Sequence, residues 1–555
     1  MNKQSFWSST ATRVLASVAL AAGLAACGGN GSDDVEASTA NGVVRGSVSG
    51  NTISYKGIPY AAPPVGALRW RAPAAAANWS GVRDAKSFAA HCAQPTSPFG
   101  SASTSEDCLY LNVYTPKAPG NYPVFVWIHG GAFYLGLSDG YDATKLVNQG
   151  LVVVTINYRL GALGFMSHSE LTTEQGGTSG NYGLMDQQAA LRWVRANIAN
   201  FSGNRDNITI AGESAGGFSV HSHVASAGAA GTFHKAIAMS AAYPFSAPQD
   251  TLAAAQAKGA SVATAAATIL SNATGTVVPA CTTAACLRAL PVNVLLGAQM
   301  TAYPSGPVPS RDGLVLTQDV RTTIAAGTHN RVPMIEGTTR DEWRLFAALD
   351  ELTATPPMTQ VLNNDTDHIN KVATLLGHPF VGSAMATATA MVTNFYPAAN
   401  YVGGAPIAYG TLGTDMIFAC NGRIAALELQ QHRPVYAYEF RDRTAPSTLP
   451  HRAGFDLGAP HTSELQYIFT LPGTASLTTA QQSLSETMIK YWANFAKNGD
   501  PNGTGVPTWA AYTQGNDSYQ GLDIGTNGVA PLAVNFSTAH NCTAWNGMVP
   551  FTPTP

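Results

Sequence analysis

The stretch ITIAGESAGGFSV, residues 208–220, decides the fold. The β-branched apolar residues from Ile208 onwards predict a strand, and a helix is predicted to start at Ala215. Ser214 lies between them, with Gly212 and Gly216 two residues away on either side. Such a turn holds a serine in a strained conformation with its hydroxyl exposed, and the glycines allow close approach of the backbone. The pattern therefore predicts a nucleophilic serine, with a plain glycine-rich turn as the alternative.

Apolar runs elsewhere in the sequence predict further strands of the same sheet. Residues 124–128 and 151–156 are fully apolar or β-branched and of strand length, which is typical of central parallel strands covered on both faces. An amphipathic helix is predicted between Leu184 and Ile198. Alternating strands and helices indicate an α/β protein with a large, mostly parallel sheet and helices on both faces. Residues 250–330 and 345–415 are predicted to form helical insertions over one end of the sheet.

A second motif follows the predicted strand 124–128. His129-Gly130-Gly131-Ala132-Phe133 is a loop of the HGGG type, which donates backbone N–H groups to an oxyanion. With the Gly-x-Ser-x-Gly turn it predicts the α/β-hydrolase fold. That fold needs an acid and a histidine after the serine. Ten histidines follow Ser214, and composition does not choose among them.

The charge composition argues against a nucleic-acid partner. Only 11% of the 555 residues are charged, and 30 basic against 33 acidic residues give a net charge of −3. Without a basic run, we expect no nucleic-acid partner. No cysteine or histidine cluster has zinc-site spacing, so no structural metal is expected. A serine nucleophile that works with an acid and a histidine needs no cofactor.

The N-terminus has the features of an export signal. Lys3 and Arg13 precede an apolar run that ends in Leu24-Ala25-Ala26-Cys27, a stretch resembling a bacterial lipobox. We expect residues 1–26 to be a lipoprotein signal peptide, Cys27 to carry lipid, and residues 27–40 to be a flexible tether. The protein would then lie in the periplasm or cell envelope, touching a membrane only through this anchor. The alternative is an ordinary secretory signal and a secreted protein. Lipidation of Cys27 leaves six cysteines, which allow 15 disulfide connectivities.

A series of motifs in order resembles the type-B carboxylesterase and cholinesterase family. They are YKGIPYAAPPVG with LRW, SEDCLYLNV, NYR, NYGLMDQ, GESAG and FAKNGDPN, in chain order between residues 55 and 502. The resemblance covers about residues 41–545, and we expect one catalytic domain over 41–550.

The resemblance implies the remaining catalytic groups. The family's acid lies in a segment matched by GTTRDE and its base in one matched by GAPHTSEL, which makes Glu342 the acid and His461 the base. His451 is the second choice as base. Ser240 matches a serine that supports the acid and the histidine. Trp343 stands where the family usually has glycine, a departure that narrows or reshapes the pocket.

The family's oxyanion donors correspond to the backbone N–H groups of Gly131, Ala132 and Ala215. The family usually has glycine at the position of Ala132. Alanine keeps the N–H group, while its methyl group crowds a bulky substrate.

The resemblance also implies which contacts hold the fold. The disulfides would join the cysteines in sequential pairs, Cys92–Cys108, Cys281–Cys286 and Cys420–Cys542. Two buried ion pairs would be structural rather than catalytic, Arg69–Glu106 and Arg159–Asp186.

Together these features predict a serine carboxylesterase that acts through an acyl-enzyme. Cholinesterases bind the choline cation with a tryptophan in the first disulfide loop. Here that loop reads AQPTSPFGSASTSED and offers only Phe99 as an aromatic residue. Neutral, bulky or aromatic esters are therefore expected rather than choline esters. An amide, carbamate or lactone hydrolase is the alternative, followed by a non-catalytic recognition protein. A monomer is favoured.

Overall fold

The computed structural model describes residues 34–548 except 98–99, 242–248, 305, 378–383 and 527. The predicted signal peptide, Cys27 and Phe99 lie outside the described residues. The described strands are β1 (Asp34–Thr39), β2 (Gly42–Ser49), β3 (Thr52–Pro59), β4 (Val82–Asp84), β5 (Tyr110–Pro116), β6 (Tyr122–Ile128), β7 (Val152–Ile156), β8 (Gly203–Glu213), β9 (Lys235–Met239), β10 (Met334–Thr339), β11 (Val435–Phe440), β12 (Gln520–Leu522) and β13 (Val529–Pro531).

The α-helices in the same residues separate most of these strands in sequence. They are α1 (Thr144–Val147), α2 (Gly161–Phe165), α3 (Ser169–Glu174), α4 (Tyr182–Asn197), α5 (Ala215–Ala225), α6 (Leu252–Thr274), α7 (Ala284–Ala289), α8 (Val292–Ala302), α9 (Val320–Ala325), α10 (Arg344–Leu352), α11 (Asp365–Gly377), α12 (Ala384–Phe395), α13 (Ala405–Gly413), α14 (Cys420–Leu429), α15 (Leu465–Ile468), α16 (Thr479–Asn498), α17 (Phe536–Ala539) and α18 (Cys542–Met548). None of the helices described is long and apolar enough to span a membrane.

One sheet contains all the described strands. Its order is β1-β2-β3-β5-β7-β6-β8-β9-β10-β11-β12-β13, and β4 pairs with β2. The run from β7 to β12 is parallel, and antiparallel pairs form both edges. Because parallel strands end on the same side, the segments after β6, β8, β10 and β11 meet at one edge of the sheet. The fold class predicted from the sequence is confirmed.

Alternation along β6 explains why the sheet is covered on both faces. Val124 and Val126 point into one apolar core, which β6 shares with α4 and α5. Phe125 and Trp127 point into a second core, where Trp492 of α16 packs. All five side chains are buried, so neither face of the central strands meets water.

The N-terminal boundary of the domain differs from the prediction. Residues 34–39 form β1, which pairs antiparallel with β2 along its whole length. The prediction that a tether extends to residue 40 is therefore wrong for this part. Alternating burial in β1, with Ala37 facing inwards, packs the strand onto the sheet edge. An edge strand buries few of its side chains, so DVEAST is mostly polar. Its composition therefore did not predict a strand.

Helical insertions occupy both stretches where the sequence predicts them. Helices α6 to α9 lie between β9 and β10, and α10 to α13 follow β10 directly. The second group has its own apolar core, to which Cys542 and Trp545 of α18 also belong. Since α10 begins two residues after Glu342, this group borders the edge of the sheet where the site is expected.

Three disulfides join the cysteines in the pairs that the family resemblance implies. They are Cys92–Cys108, Cys281–Cys286 and Cys420–Cys542. The third bond is the only one of these that fastens distant parts of the chain, across 122 residues.

Loop length predicts how much each disulfide stabilises the fold. Replacing Cys420 and Cys542 together by serine should lower the free energy of unfolding by about 5 kcal/mol, because a separation of 122 residues leaves a large loop to close. The same change at Cys92 and Cys108, separated by 16 residues, should lower it by about 3 kcal/mol. Denaturant titration of both variants measures the difference. A larger loss from the shorter loop would contradict the ranking.

Candidate active site

Ser214 lies in a strained turn at the end of β8. Its backbone angles are φ 55° and ψ −123°, a region that residues with a side chain seldom adopt. The N–H of Ser214 donates to the carbonyl of Met239 at 2.9 Å, and its own carbonyl accepts from Phe218 at 2.8 Å, in the first turn of α5. These bonds hold the turn between strand and helix, and the side chain remains half-buried.

The glycines around Ser214 are required by close packing. A Cβ added to Gly216 would lie 2.0 Å from the carbonyl oxygen of Ile128 on β6. A Cβ added to Gly212 would lie 2.4 Å from the carbonyl carbon and oxygen of Gly216. Contacts that short are impossible, so α5 reaches its place beside β6 only with glycine at both positions.

Glu342 and His461 form a short polar contact at the centre of the site. Nδ1 of His461 lies 2.5 Å from Oε2 of Glu342, and both side chains are almost fully buried. Glu342 follows β10 directly, while His461 lies between β11 and α15. The two residues implied by the resemblance, 119 positions apart in sequence, are thus brought together.

The other oxygen of Glu342 accepts three hydrogen bonds. They come from the hydroxyl of Ser240 at 2.5 Å, the hydroxyl of Thr338 at 2.7 Å and the backbone N–H of Thr339 at 2.6 Å. Burial raises the pKa of Glu342, but the charge of His461 and these donors outweigh it, and the net shift is downwards. Glu342 is therefore held as a carboxylate, and Ser240 has the supporting contact that the resemblance implies.

The sequence reasoning missed a second carboxylate at His461. Oε1 of Glu213 lies 3.1 Å from Nε2 of His461, although the angles do not form a hydrogen bond. Among the described residues Nε2 has no hydrogen-bond partner, so the hydroxyl of Ser214 does not bond to it here. Catalytic hydrogen bonds commonly tighten only when substrate is bound. Glu213 stands next to Ser214 in the GESAG motif, and that position was the available signal.

Three buried carboxyl groups surround one imidazole. Burial lowers the pKa of His461, but the charges of Glu213 and Glu342 outweigh it and raise the pKa to about 9. Burial in turn raises the pKa of Glu213 and of Glu464. Oε1 of Glu213 and both side-chain oxygens of Glu464 are buried without a hydrogen-bond partner among the described residues. The cluster therefore favours the imidazolium form, which is the form that accompanies charge development on an oxyanion.

Replacing Glu213 by glutamine should shift the pH profile. The carboxylate of Glu213 raises the pKa of His461, so its loss lowers that pKa and leaves the imidazole neutral at lower pH. Since only a neutral imidazole can act as a base, the acidic limb of kcat/KM should move towards lower pH. Steady-state kinetics between about pH 6 and about pH 10.5, which brackets the wild-type pKa of about 9, measure the shift. Glu428→Gln is the control, because this carboxylate on α14 pairs with Arg321 on α9. An equal shift there, or none in the first variant, contradicts the prediction.

The HGGAF loop packs directly against the serine. A Cβ added to Gly130 would lie 3.1 Å from Cβ of Ser214. Gly131 has φ 104° and Ala132 has φ 54°, so the chain turns sharply just after β6. Ala215 is the first residue of α5, where backbone N–H groups have no acceptor within the helix. The three implied oxyanion donors thus belong to the two segments that flank Ser214.

Aromatic rings cover His461. The ring centroids of Phe418 and Phe346 lie 4.9 Å and 5.4 Å from that of His461. Trp343 packs on Phe346 at 4.4 Å and lies so close to Gly413 that a Cβ there would be 2.1 Å from its ring. Trp343 and Phe346 remain partly exposed, so the site has an aromatic wall. The sequence marked Trp343 alone among these residues.

The turn that carries Phe418 is a π-helix, Thr414–Ala419, fastened by the C-terminal segment. His540 contacts the carboxylate of Asp415 through Nδ1 and that of Glu439 through Nε2, each at 2.6 Å. Burial lowers the pKa of His540, but the two carboxylates raise it to about 10. The third disulfide joins the first residues of α14 and α18 beside this cluster. π-Helical turns are rare and occur often at functional sites.

Other predicted residues lie outside the reacting centre. His129 is buried, bonds to the carbonyl of Gly130 at 2.8 Å, and has its pKa lowered by burial to about 4. His451 is exposed and contacts the carbonyl of Leu449 at 2.9 Å, so it does not serve as the base. The two structural ion pairs are present, Arg69–Glu106 at 2.5 Å and Arg159–Asp186 at 2.7 Å.

The strand order and the serine turn together define an α/β-hydrolase. Comparison with known proteins narrows this class. The chain belongs to the carboxylesterase family, whose model matches residues 33–545. It is therefore a carboxylic ester hydrolase.

Individual relatives cover most of the chain. Para-nitrobenzyl esterase of Bacillus subtilis (strain 168) is 35% identical over 492 residues, which are 85% of this chain and 92% of that protein. Cocaine esterase of Homo sapiens is 33% identical over 529 residues, 90% of this chain and 87% of that protein. A solved structure of a thermophilic PNB esterase superposes with a TM-score of 0.73 at 31% identity, covering 92% of this chain and 99% of that one.

Proposed function

We propose that the enzyme hydrolyses esters through Ser214, His461 and Glu342. The observation that carries this proposal is the 2.5 Å contact of Glu342 with His461 beside a serine in a strained turn. His461 takes the proton of the Ser214 hydroxyl as the oxygen attacks the ester carbonyl. Glu342 holds the imidazole in place and stabilises its cationic form. No cofactor takes part.

The acyl-enzyme forms and breaks in balanced steps. The tetrahedral oxyanion accepts hydrogen bonds from the backbone N–H groups of Gly131, Ala132 and Ala215. His461 then gives its proton to the leaving alcohol, which leaves Ser214 acylated. Water attacks this ester, with His461 first taking and then returning a proton, and the acid product leaves. Backbone donors that the fold already holds in place stabilise charge in the transition state without reorganising.

We propose neutral, bulky or aromatic esters as substrates rather than choline esters. Phe346 and Phe418 beside His461 offer apolar surface to an aromatic or branched group. The Cys92–Cys108 loop has no tryptophan to bind a quaternary ammonium group. Relatives named para-nitrobenzyl esterase, cocaine esterase and pyrethroid hydrolase support the same substrate class.

Trp343 is expected to limit the size of the bound group. Trp343→Gly removes the ring that packs on Phe346 and over Gly413, which opens space in the aromatic wall. The ratio of kcat/KM for a branched acyl ester to that for the acetyl ester should rise about 10-fold. Trp343→Phe should give an intermediate ratio. If the glycine variant had an unchanged ratio and normal turnover of acetyl esters, Trp343 would not line the pocket that binds the acyl group.

We also propose export with a lipid anchor at Cys27. Six of the seven cysteines are joined in disulfides, which suits an oxidising compartment such as the periplasm, and Cys27 is the remaining one. Mass spectrometry of the mature N-terminus should find a diacylglyceryl group on Cys27. Release of the protein with an unmodified N-terminal segment would favour a secreted enzyme instead. We expect a monomer, which light scattering of the purified protein tests.

A fluorophosphonate probe tests the function as a whole. Mass spectrometry should find the label on Ser214, and prior incubation with an aryl ester should delay it. A panel of aryl esters, choline esters and matching amides then ranks the substrates. Labelling elsewhere overturns the proposed nucleophile. Faster turnover of amides or carbamates than of the matching esters would favour the alternative hydrolase, and a complete lack of labelling would favour a recognition protein.

A further inference from the structure

The segments that carry Glu342 and His461 are joined by four charged side chains, which we name the ionic clamp: Asp341, Arg344, Arg443 and Asp456. Nη2 of Arg344 lies 2.9 Å from Oδ1 of Asp341, and Nη1 lies 2.9 Å from Oδ2 of Asp456. Nη1 also donates to the carbonyl oxygen of Asp456 at 3.1 Å. Arg443 contacts Asp456 and lies 3.9 Å from Asp341. Arg344 thus bridges the acid segment and the loop before His461.

Backbone hydrogen bonds continue the clamp to the reacting groups. Oδ2 of Asp341 accepts the N–H of Ala459 at 3.0 Å, and the N–H of Asp341 donates to the carbonyl of Ala459 at 3.0 Å. The N–H of His461 donates to the carbonyl of Glu342 at 3.3 Å. A Cβ on Gly458 would lie 2.2 Å from Oδ2 of Asp341, so the loop rests on that carboxylate. The position of His461 therefore depends on Asp341 and on whatever fixes Asp341.

Burial makes Arg344 the central member of the clamp. The side chains of Arg344 and Asp341 are 7% and 6% exposed, whereas that of Asp456 is 50% exposed. A buried charge needs its partner, because an unpaired one costs several kcal/mol. Arg344 pairs with the buried carboxylate of Asp341 and connects it to Asp456, which lies in a more exposed loop.

We propose that Arg344 is a positioning residue for catalysis, holding the loop of His461 against the segment of Glu342. This inference rests on the proposed function of these two groups. Arg344 touches neither a substrate nor a reacting atom, and it acts through Asp341 and Asp456. Since a misplacement of about 1 Å can lower the rate about 100-fold, a clamp at this junction affects turnover as well as folding.

The same helix and loop provide a matched control. Glu351 at the far end of α10 accepts from Arg452 at 2.9 Å and 3.2 Å, and its carboxylate is 1% exposed. This pair also joins α10 to the loop between β11 and α15, but its side chains bond to each other and, within the part of the chain that the structure describes, to neither Glu342, His461 nor Asp341. A role in stability alone predicts similar effects from both pairs.

The test compares Asp456→Asn with Glu351→Gln in the full-length enzyme. Each replaces one carboxylate of an α10-to-loop pair by its amide. Asp456→Asn should lower kcat about 10-fold with KM within twofold, while Glu351→Gln should leave kcat within twofold. Arg344→Met should lower kcat about 100-fold, and Arg344→Lys should recover part of the loss. Equal kcat for the wild type and Asp456→Asn, or equal losses in Asp456→Asn and Glu351→Gln, overturns the proposal.

The pH profile separates positioning from stability. A looser contact with Glu342 lowers the pKa of His461, because that carboxylate helps to raise it. The acidic limb of kcat/KM for Asp456→Asn should therefore move to lower pH, which a purely structural defect would not produce. Fluorophosphonate labelling of Ser214 in every variant shows that the nucleophile is intact. Failure to label wild-type Ser214 overturns the proposed function, whereas normal labelling with unchanged kcat and pH profile overturns only the role of Arg344.

Discussion

Replacing Ser214 by alanine is expected to lower kcat for an aryl ester by about 10⁶-fold. The change removes the attacking oxygen and leaves the turn, whose hydrogen bonds come from the backbone of residue 214 and not from its side chain. The backbone donors of the HGGAF loop and α5 stay in place. Residual catalysis of about 10³- to 10⁴-fold over water is therefore expected, because binding and the oxyanion donors supply that much. Initial rates at saturating substrate give the loss, and the fluorophosphonate label should vanish.

Ser222→Ala is the matched control for this experiment. Ser222 is a buried serine on α5, and its hydroxyl has no hydrogen-bond partner among the described residues. Loss of that hydroxyl should leave kcat within twofold and labelling complete. If Ser214→Ala kept more than about a tenth of wild-type turnover, the acyl-enzyme mechanism would be wrong.

Glu342→Gln should have the second largest effect, a loss in kcat of about 10⁴-fold. Three donors, from Ser240, Thr338 and Thr339, already converge on Oε1 of Glu342. The glutamine oxygen would take that place, which leaves its NH₂ group facing Nδ1 of His461. Nδ1 must then accept a hydrogen bond, so the ring proton moves to Nε2. An imidazole protonated at Nε2 does not accept the proton of Ser214.

This prediction is distinguished from a general loss of folding by a change on β10, the strand that precedes Glu342. Glu336 on β10 is also buried, 1% exposed, and its carboxylate contacts His221 at 2.9 Å rather than His461. Glu336→Gln should keep kcat within threefold. Denaturation midpoints for both variants show whether either one is partly unfolded. Near-normal turnover in Glu342→Gln would mean that the proton of His461 does not depend on this carboxylate.

Local patterns were sufficient to predict the centre of the fold. The run 124–128 falls within β6, and the predicted helix from Leu184 to Ile198 corresponds to α4 with shifted ends. These elements were predictable because a strand or helix face that is buried in the core must consist of apolar residues at a regular spacing. β1 was not predicted, because this edge strand buries only one of its six side chains and its sequence DVEAST has no apolar periodicity.

The site was predictable only where a motif carries its own geometry. Gly-x-Ser-x-Gly marks Ser214 because the turn requires small neighbours, whereas Glu342 and His461 required resemblance to a family. Glu213 was overlooked although it adjoins Ser214, since its contact is with a histidine 248 positions later. The contact of Phe418 with His461 likewise depends on how the folded chain packs, and the spacing of residues in the sequence does not predict it.

The fastening of the π-helical turn by the C-terminal segment has a consequence for the order of synthesis. Phe418 is made well before His540 and Cys542, yet the turn that carries it is held by both. A nascent chain that already contains Ser214, Glu342 and His461 still lacks the residues that shape the aromatic wall. The aromatic wall therefore depends on residues that follow all three proposed catalytic groups in the chain, so we expect a chain truncated before His540 to hold Phe418 less firmly beside His461.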